Sequence, residues 1–440
     1  MSSQASDGSR MTRGAKLRAC AGILLLACVV LTPIALSHAL ASPTQEHDQP
    51  PPPGAYAGDA ACAKCHRKEA AAYERTPHAR DSSLASAESI LGSFQPGHNV
   101  LHTLDPNLII NMVSDSGSFY QSAVNVSNPD EHLAERFDIV IGSGRHGQSY
   151  LYWDDDQLYQ LPASYFTPDH EWIMSPSFPA DKVFFNRPVT PRCLECHASY
   201  FTWMDTNRFE KSSLVYGINC ERCHGPGADH VAREQALMKS GAKTETKSET
   251  KSAAKPTAKS AEDQRRNVAQ QAIVNPARLD RNQQLSLCSL CHAGAVEPLR
   301  PSMVFRAGDN IRDFLAIQPA TPGETVDVHG NQAGALELSK CFASSKMTCS
   351  SCHNVHEGPA DAESYSRNCL ECHQIRTCGK YPALGEKIRH KCVDCHMPEQ
   401  ESGLIVSFTA GHTLRARFRT HQIAIYQEAT ERVEQSLTAK

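Results

Sequence analysis

The sequence has no excess of basic residues, no ordered methionine pattern, no tandem repeat, and no C-x-x-C pair without a histidine directly after it. Each absence excludes something. With 44 Lys and Arg against 48 Asp and Glu the chain carries a net −4, a balance that gives no reason to invoke nucleic acid. Structural zinc knuckles and thioredoxin-type redox pairs both predict some C-x-x-C pairs without a trailing histidine, and there are none. The spacings between the pairs are irregular, so the chain is not an array of one small module.

What is present is C-x-x-C-H, seven times: Cys62/Cys65/His66, Cys193/Cys196/His197, Cys220/Cys223/His224, Cys288/Cys291/His292, Cys349/Cys352/His353, Cys369/Cys372/His373 and Cys392/Cys395/His396. Composition alone predicts about 0.03 matches. Two cysteines three apart share one face of a helical turn, with the histidine beside them, which is the attachment geometry of c-type haem. The sulfurs add to the porphyrin vinyl groups and the histidine supplies the proximal nitrogen. The cofactor expectation is therefore seven covalently bound haem c groups with iron.

The amino terminus reads as an export signal. Arg10, Arg13, Lys16 and Arg18 precede an apolar run over 19–36 and a small-residue cleavage site at Ala39-Leu40-Ala41. A retained membrane anchor and a lipoprotein site at Cys28 are competing readings. Export agrees with a cofactor joined to thiols outside the cytoplasm, so the expected location is periplasmic or otherwise extracytoplasmic, possible membrane attachment included. Removing 1–41 takes four basic and one acidic residue from 44 and 48, leaving 40 and 47, or −7. That balance favours a partner with a basic patch.

The expected organisation is a signal at 1–41, a Pro-rich spacer at 42–57, a first haem segment at 58–95, a β-rich lobe at 96–190 and a six-haem cluster at 191–440. Stretches such as "SFYQSAVNV", "FDIVIGSG", "QSYLYW", "LYQLP" and "KVFFN" alternate in the manner of strands. The cluster is interrupted at 238–267 by a Lys-rich segment with no large apolar residue after Met238, read as a disordered insertion. Because porphyrins fill much of the interior, the expected fold class is mainly α with much irregular chain, a multihaem cluster carrying one small inserted β-rich lobe.

A sixth iron ligand is needed wherever a haem is not catalytic, and histidine or methionine is the usual choice. Seven histidines are proximal, and twelve others follow the spacer. His78, His230, His356, His412 and His421 are the favoured distal candidates, with His102, His146, His170 and His390 behind them. His230 is six residues from His224 and His356 three from His353, tethers of about 20 and 10 Å at full extension. Neither rounds the edge of its own macrocycle, so each should reach a neighbouring haem and hold two porphyrins close. Cys341 and Cys378 lie outside the motifs; a disulfide between them competes with a free thiol or iron ligand.

"YAGDAACAKCHRKEAAAYERTPHAR", "GINCERCHGPGADHV", "MTCSSCHNVHEG" and "NCLECH…KCVDCHMP" resemble the haem segments of the multihaem cytochromes of the cytochrome c-554 type, relatives of pentahaem nitrite reductase and octahaem hydroxylamine oxidoreductase. The resemblance spans roughly 55–425 and is specific at the motifs. It implies stacked and perpendicular haem pairs, mostly bis-histidine, with His78, His230, His356 and His421 at distal positions. The chain has no C-x-x-C-K of the nitrite reductases, no eighth haem motif and no peptide-repeat domain. The expected function is electron transfer between a quinol oxidoreductase or another cytochrome and an acceptor, without an assigned catalytic residue. The alternative is a reductase or oxidase of small nitrogen or sulfur oxyanions with one open-site haem, walled by Arg145, His146, Tyr150 and Tyr165 of the β-rich lobe. A third reading makes the Lys-rich segment a partner-docking loop.

Overall fold

The computed structural model describes residues 49–239, 272–294, 296–323, 330–409 and 411–439, all within one compact unit, Thr44–Lys440. The export signal lies outside the described residues, and so does the Lys-rich segment except for Met238 and Lys239, which end a helix, Ala228–Lys239.

The expectation of a mainly α chain is overturned: the described residues are 31% helix and 25% strand, with several sheets, one curled into a half-barrel. Four consecutive antiparallel strands, Val100–His102, Leu108–Asp115, Ser118–Asn125 and Asn128–Arg136, form one meander. Its tightest turn places Ser116 and Gly117 at positive φ, the geometry a two-residue hairpin needs. A larger sheet runs through Ser82–Leu84, Ile139–Ile141, Gly147–Asp154, Gln157–Gln160, Arg208–Phe209 and Trp203–Asp205, with Ala163–Phe166, Glu171–Met174 and Arg187–Pro188 paired alongside. The physical reason is that residues 82–216 bury a core of their own. Ile110, Met112, Phe137, Tyr150, Leu161, Trp172 and Met174 pack together without needing a cofactor. Of the stretches read as strands, 182–186 is not one; Phe185 is a buried plug and Phe184 stacks on Phe178 at 4.9 Å.

A second β element falls inside the region read as haem cluster, a hairpin of Glu399–Phe408 with Thr413–Arg419. Leu414 and Ala416 pack on Phe166 and Ile173, and the Ser407 hydroxyl donates to the Met174 carbonyl at 2.7 Å. The hairpin thus ties the last motif to the larger sheet. "TLRARFR" carries the period-2 signal that reveals it.

Most motifs ride on short helices: Pro191–His197, Cys220–His224, Arg281–His292, Cys392–His396 and the end of Ala362–Cys369. The longest starts at a capping box between Asp280 and Gln283, which satisfies orphan N–H groups at its amino end. The residues between the cysteines point the other way, into protein cores. Leu194 and Leu290 are each 2% exposed, in separate hydrophobic clusters, and Val393 is buried. Each turn is therefore anchored by its apolar side while its sulfurs and imidazole face away from that core.

Candidate functional site

All twenty-one cysteines and histidines of the seven motifs line one continuous cavity of about 4460 Å³. Shared among seven motifs that is 4460/7, about 640 Å³ each, inside the range of about 300–1,000 Å³ typical of a pocket for one small ligand.

The motifs form an unbroken file. The thiol of Cys62 meets that of Cys220, so the first motif abuts the third. Cys223 lies close to Cys288, Cys288 meets Cys349, and Cys352 lies close to Cys369, which meets Cys392. The order is first, third, fourth, fifth, sixth, seventh. The second motif joins at the fourth through Cys196 and Cys291.

Polar and charged side chains in and beside the motifs hold this order. Glu221 accepts from the backbone N–H groups of Ala57 at 2.8 Å, Gly58 at 2.8 Å and Gly227 at 2.7 Å, joining the chain ahead of the first motif to the turn after the third. Glu195, in the second motif, accepts from Arg192 at 2.8 Å and from the Met303 N–H at 2.9 Å, with Arg222 of the third motif at 3.8 Å. Arg192 also donates to the Leu290 carbonyl of the fourth motif at 2.8 Å. Asn368 reaches the Cys352 carbonyl at 3.2 Å, and Arg419 pairs with Asp394 of the seventh motif at 2.8 Å. Sequence reasoning missed these residues. Their one visible signal is the opposed charge inside "CLECH" and "CERCH".

Three pairs of imidazoles face each other across the cavity. Ring centres are 6.1 Å apart for His78 and His292, 6.1 Å for His224 and His356, and 6.2 Å for His353 and His421. Two imidazoles on opposite faces of one metal ion need about 2 Å per bond and about 1 Å more from each nitrogen to its ring centre, about 6 Å in all. In every pair a motif histidine meets a histidine from outside its own motif, and His356 lies across from His224, not from its close neighbour His353. Interplanar angles are 78°, 22° and 25° in the order given.

The motif imidazoles are also oriented. Nδ1 of His224 lies 2.9 Å from the Val274 carbonyl, that of His396 2.8 Å from the Ala424 carbonyl, that of His353 3.3 Å from the Tyr365 hydroxyl, and that of His197 2.7 Å from the Asp81 carboxylate. A ring that donates through Nδ1 offers Nε2 to a metal, and the acceptor fixes its plane. Burial holds His292 and His421 down to about 4 and lowers His78, His224 and His353, so these rings stay neutral, the form that binds metal. His197 differs. Burial pulls it down, but the Asp81 carboxylate more than offsets that and leaves it above the ordinary value.

His146 and His230 line the cavity as well. Among the described residues no other non-motif histidine does: His412 sits on the hairpin turn 3.4 Å from Glu171, His390 lies 3.2 Å from Glu363, and His170 touches the Tyr165 hydroxyl. Five non-motif imidazoles thus line the wall against seven in the motifs. Cys341 and Cys378 are free thiols in the same wall, not a disulfide; Cys341 keeps company with Cys352 and Cys369, and Cys378 with Cys395. Of the proposed catalytic wall, Arg145, His146 and Tyr165 line the cavity, while Tyr150 is buried in the sheet core with its hydroxyl on Gln148.

The family described as cytochrome c554 and c-prime matches residues 61–93 and 178–225, which hold the first three motifs. No curated protein matches the sequence. Among solved structures, the outer cell wall cytochrome OcwA is similar in fold, with a TM-score of 0.50 at 16% identity over 86% of this chain and 82% of that one.

Proposed function

We propose that this chain, a multihaem c-type cytochrome, moves electrons one at a time through haem groups held at its seven motifs, outside the cytoplasm. Haem iron supplies a one-electron ferric/ferrous couple. The chain's part is position, ligation and burial. The observation that carries the reading is the single cavity in which every motif touches another: a file without gaps suits stepwise transfer, which weakens steeply with distance. Intact mass and a haem count on the exported protein test it. Seven haem additions on a chain that begins after Ala41 are expected, and a count below seven contradicts the site set.

Histidine pairing supports bis-histidine ligation at the third, fourth and fifth motifs. His146 and His230 remain for the first, second, sixth and seventh. This shortfall among the described residues favours one further reading, that an iron with no opposing imidazole binds a small oxyanion. Turnover of nitrite, hydroxylamine or tetrathionate by the reduced protein would support it; no turnover, together with wholly low-spin iron, removes it.

Asp81 gives the second motif a character of its own. A carboxylate acceptor makes a proximal imidazole a stronger electron donor than a carbonyl does, which stabilises ferric iron and lowers the potential. Asp81→Asn is expected to raise one midpoint in a redox titration by about 59 mV, a tenfold change for one electron. If all seven midpoints stay in place, Asp81 does not tune that haem.

A further inference from the structure

The charges around the first motif differ from those around the last two. Arg67 and Lys68 follow His66 directly and open the helix Arg67–Tyr73; Arg75 and Arg80 follow its end. All four are exposed and none lines the cavity, while Lys64, between the motif cysteines, is exposed at the cavity wall. Arg75 and Arg80 donate to the Ala71 and Glu74 carbonyls, and none of the five makes an ion pair among the described residues. Glu69 and Glu74 are the exposed acids of the same segment, which leaves +3. Around the sixth and seventh motifs most cations are paired, Arg367 with Glu363, Lys380 with Glu434, Arg389 with Glu386, and Lys391 and Arg419 with the shared Asp394, while Arg376 lies over the Tyr381 ring and Lys387 donates to the Leu437 carbonyl.

Resting on the electron-transfer reading, we propose that the rim of the first motif is the docking port for an acidic one-electron redox protein. The whole chain is acidic and by itself favours a basic partner. At physiological salt, however, screening acts over about 8 Å, so a partner at contact responds to the local patch before the distant net charge. An ion-paired cation has its field cancelled nearby, whereas five unpaired ones sum. The first motif is also an end of the file, where the Cys62 thiol meets Cys220 of the third motif, so a charge delivered there passes on through the third. In the step itself the partner would lose one electron, and a haem held by Cys62, Cys65 and His66 would supply the ferric/ferrous couple that takes it up, with no proton or bond change.

The test uses the full holoprotein and flavodoxin hydroquinone, an acidic one-electron donor, with hexaammineruthenium(II) as a cationic one. For the natural chain the flavodoxin rate should fall as salt rises. R67E/K68E, with its haem count and spectrum unchanged, should lower that rate about tenfold at low salt and flatten its salt dependence, while the ruthenium rate holds or rises. R67Q/K68Q should fall between the two, and serves if the charge reversal fails to mature. Equal flavodoxin rates in all three proteins, or a natural rate that rises with salt, overturn the port. So does a patch that binds anionic phosphatidylglycerol vesicles but leaves the flavodoxin rate unmoved by R67E/K68E. Failure of both donors to reduce any haem of the natural protein is a different result, since it removes the electron-transfer reading itself.

Discussion

Glu221→Ala is expected to lower the unfolding free energy by about 3–5 kcal/mol, a large share of the roughly 5–15 kcal/mol that holds a domain together. The carboxylate is 8% exposed as a residue and meets three backbone N–H groups from two segments far apart in sequence. Truncation leaves those donors buried without an acceptor, at about 1–3 kcal/mol each before local relaxation. Glu221→Gln keeps the shape and one acceptor oxygen but turns an N–H toward donors, so about half the loss is expected. Denaturant unfolding of the two variants measures this directly. Because Glu221 joins the chain before the first motif to the turn after the third, the Ala variant should also disturb the spectra of those two haems first. A loss below about 1 kcal/mol would mean that the segments are held by other contacts.

The second large effect belongs to His356. If it completes the coordination begun by His224, His356→Ala converts one haem of seven from low to high spin and leaves the other six as they were. His356→Met should keep the iron low-spin and raise its potential, because a thioether stabilises the ferrous state relative to imidazole. Spin quantification and a redox titration on the same samples separate the two variants. An unchanged spin state in His356→Ala would show that the 6.1 Å approach of the two rings is packing alone. His421→Ala is expected to do the same at His353.

Cofactor chemistry was legible because seven exact spacings in one chain leave no other physical reading. Tether length was the argument for turning His356 away from its own motif, since three residues do not span a porphyrin, and its ring lies 6.1 Å from that of His224. Sequence reasoning failed where the signal is tertiary. Asp81 reaches His197 across 116 residues and Glu221 reaches Ala57 across 164, separations over which no local pattern names the partner. The fold class failed for a different reason. Cofactor mass was expected to substitute for side-chain core throughout, but Ile110, Tyr150, Trp172 and their neighbours build a full sheet core, and the 399–419 hairpin brings β structure into the motif cluster. His412 is instructive as well: "FTAGHT" has the look of a ligand loop, yet from the hairpin turn its imidazole meets Glu171 of the larger sheet and is not part of the cavity wall.

Electron paramagnetic resonance of the fully oxidised holoprotein, with spins counted against the haem total, tests the central claim most directly. Near-parallel axial imidazole planes give ordinary rhombic low-spin signals, and near-perpendicular planes give the strongly anisotropic low-spin kind. The account predicts both kinds, two rhombic haems from the pairs at 22° and 25° and one anisotropic haem from the pair at 78°. A spectrum dominated by high-spin iron, with fewer than three low-spin haems, would contradict it.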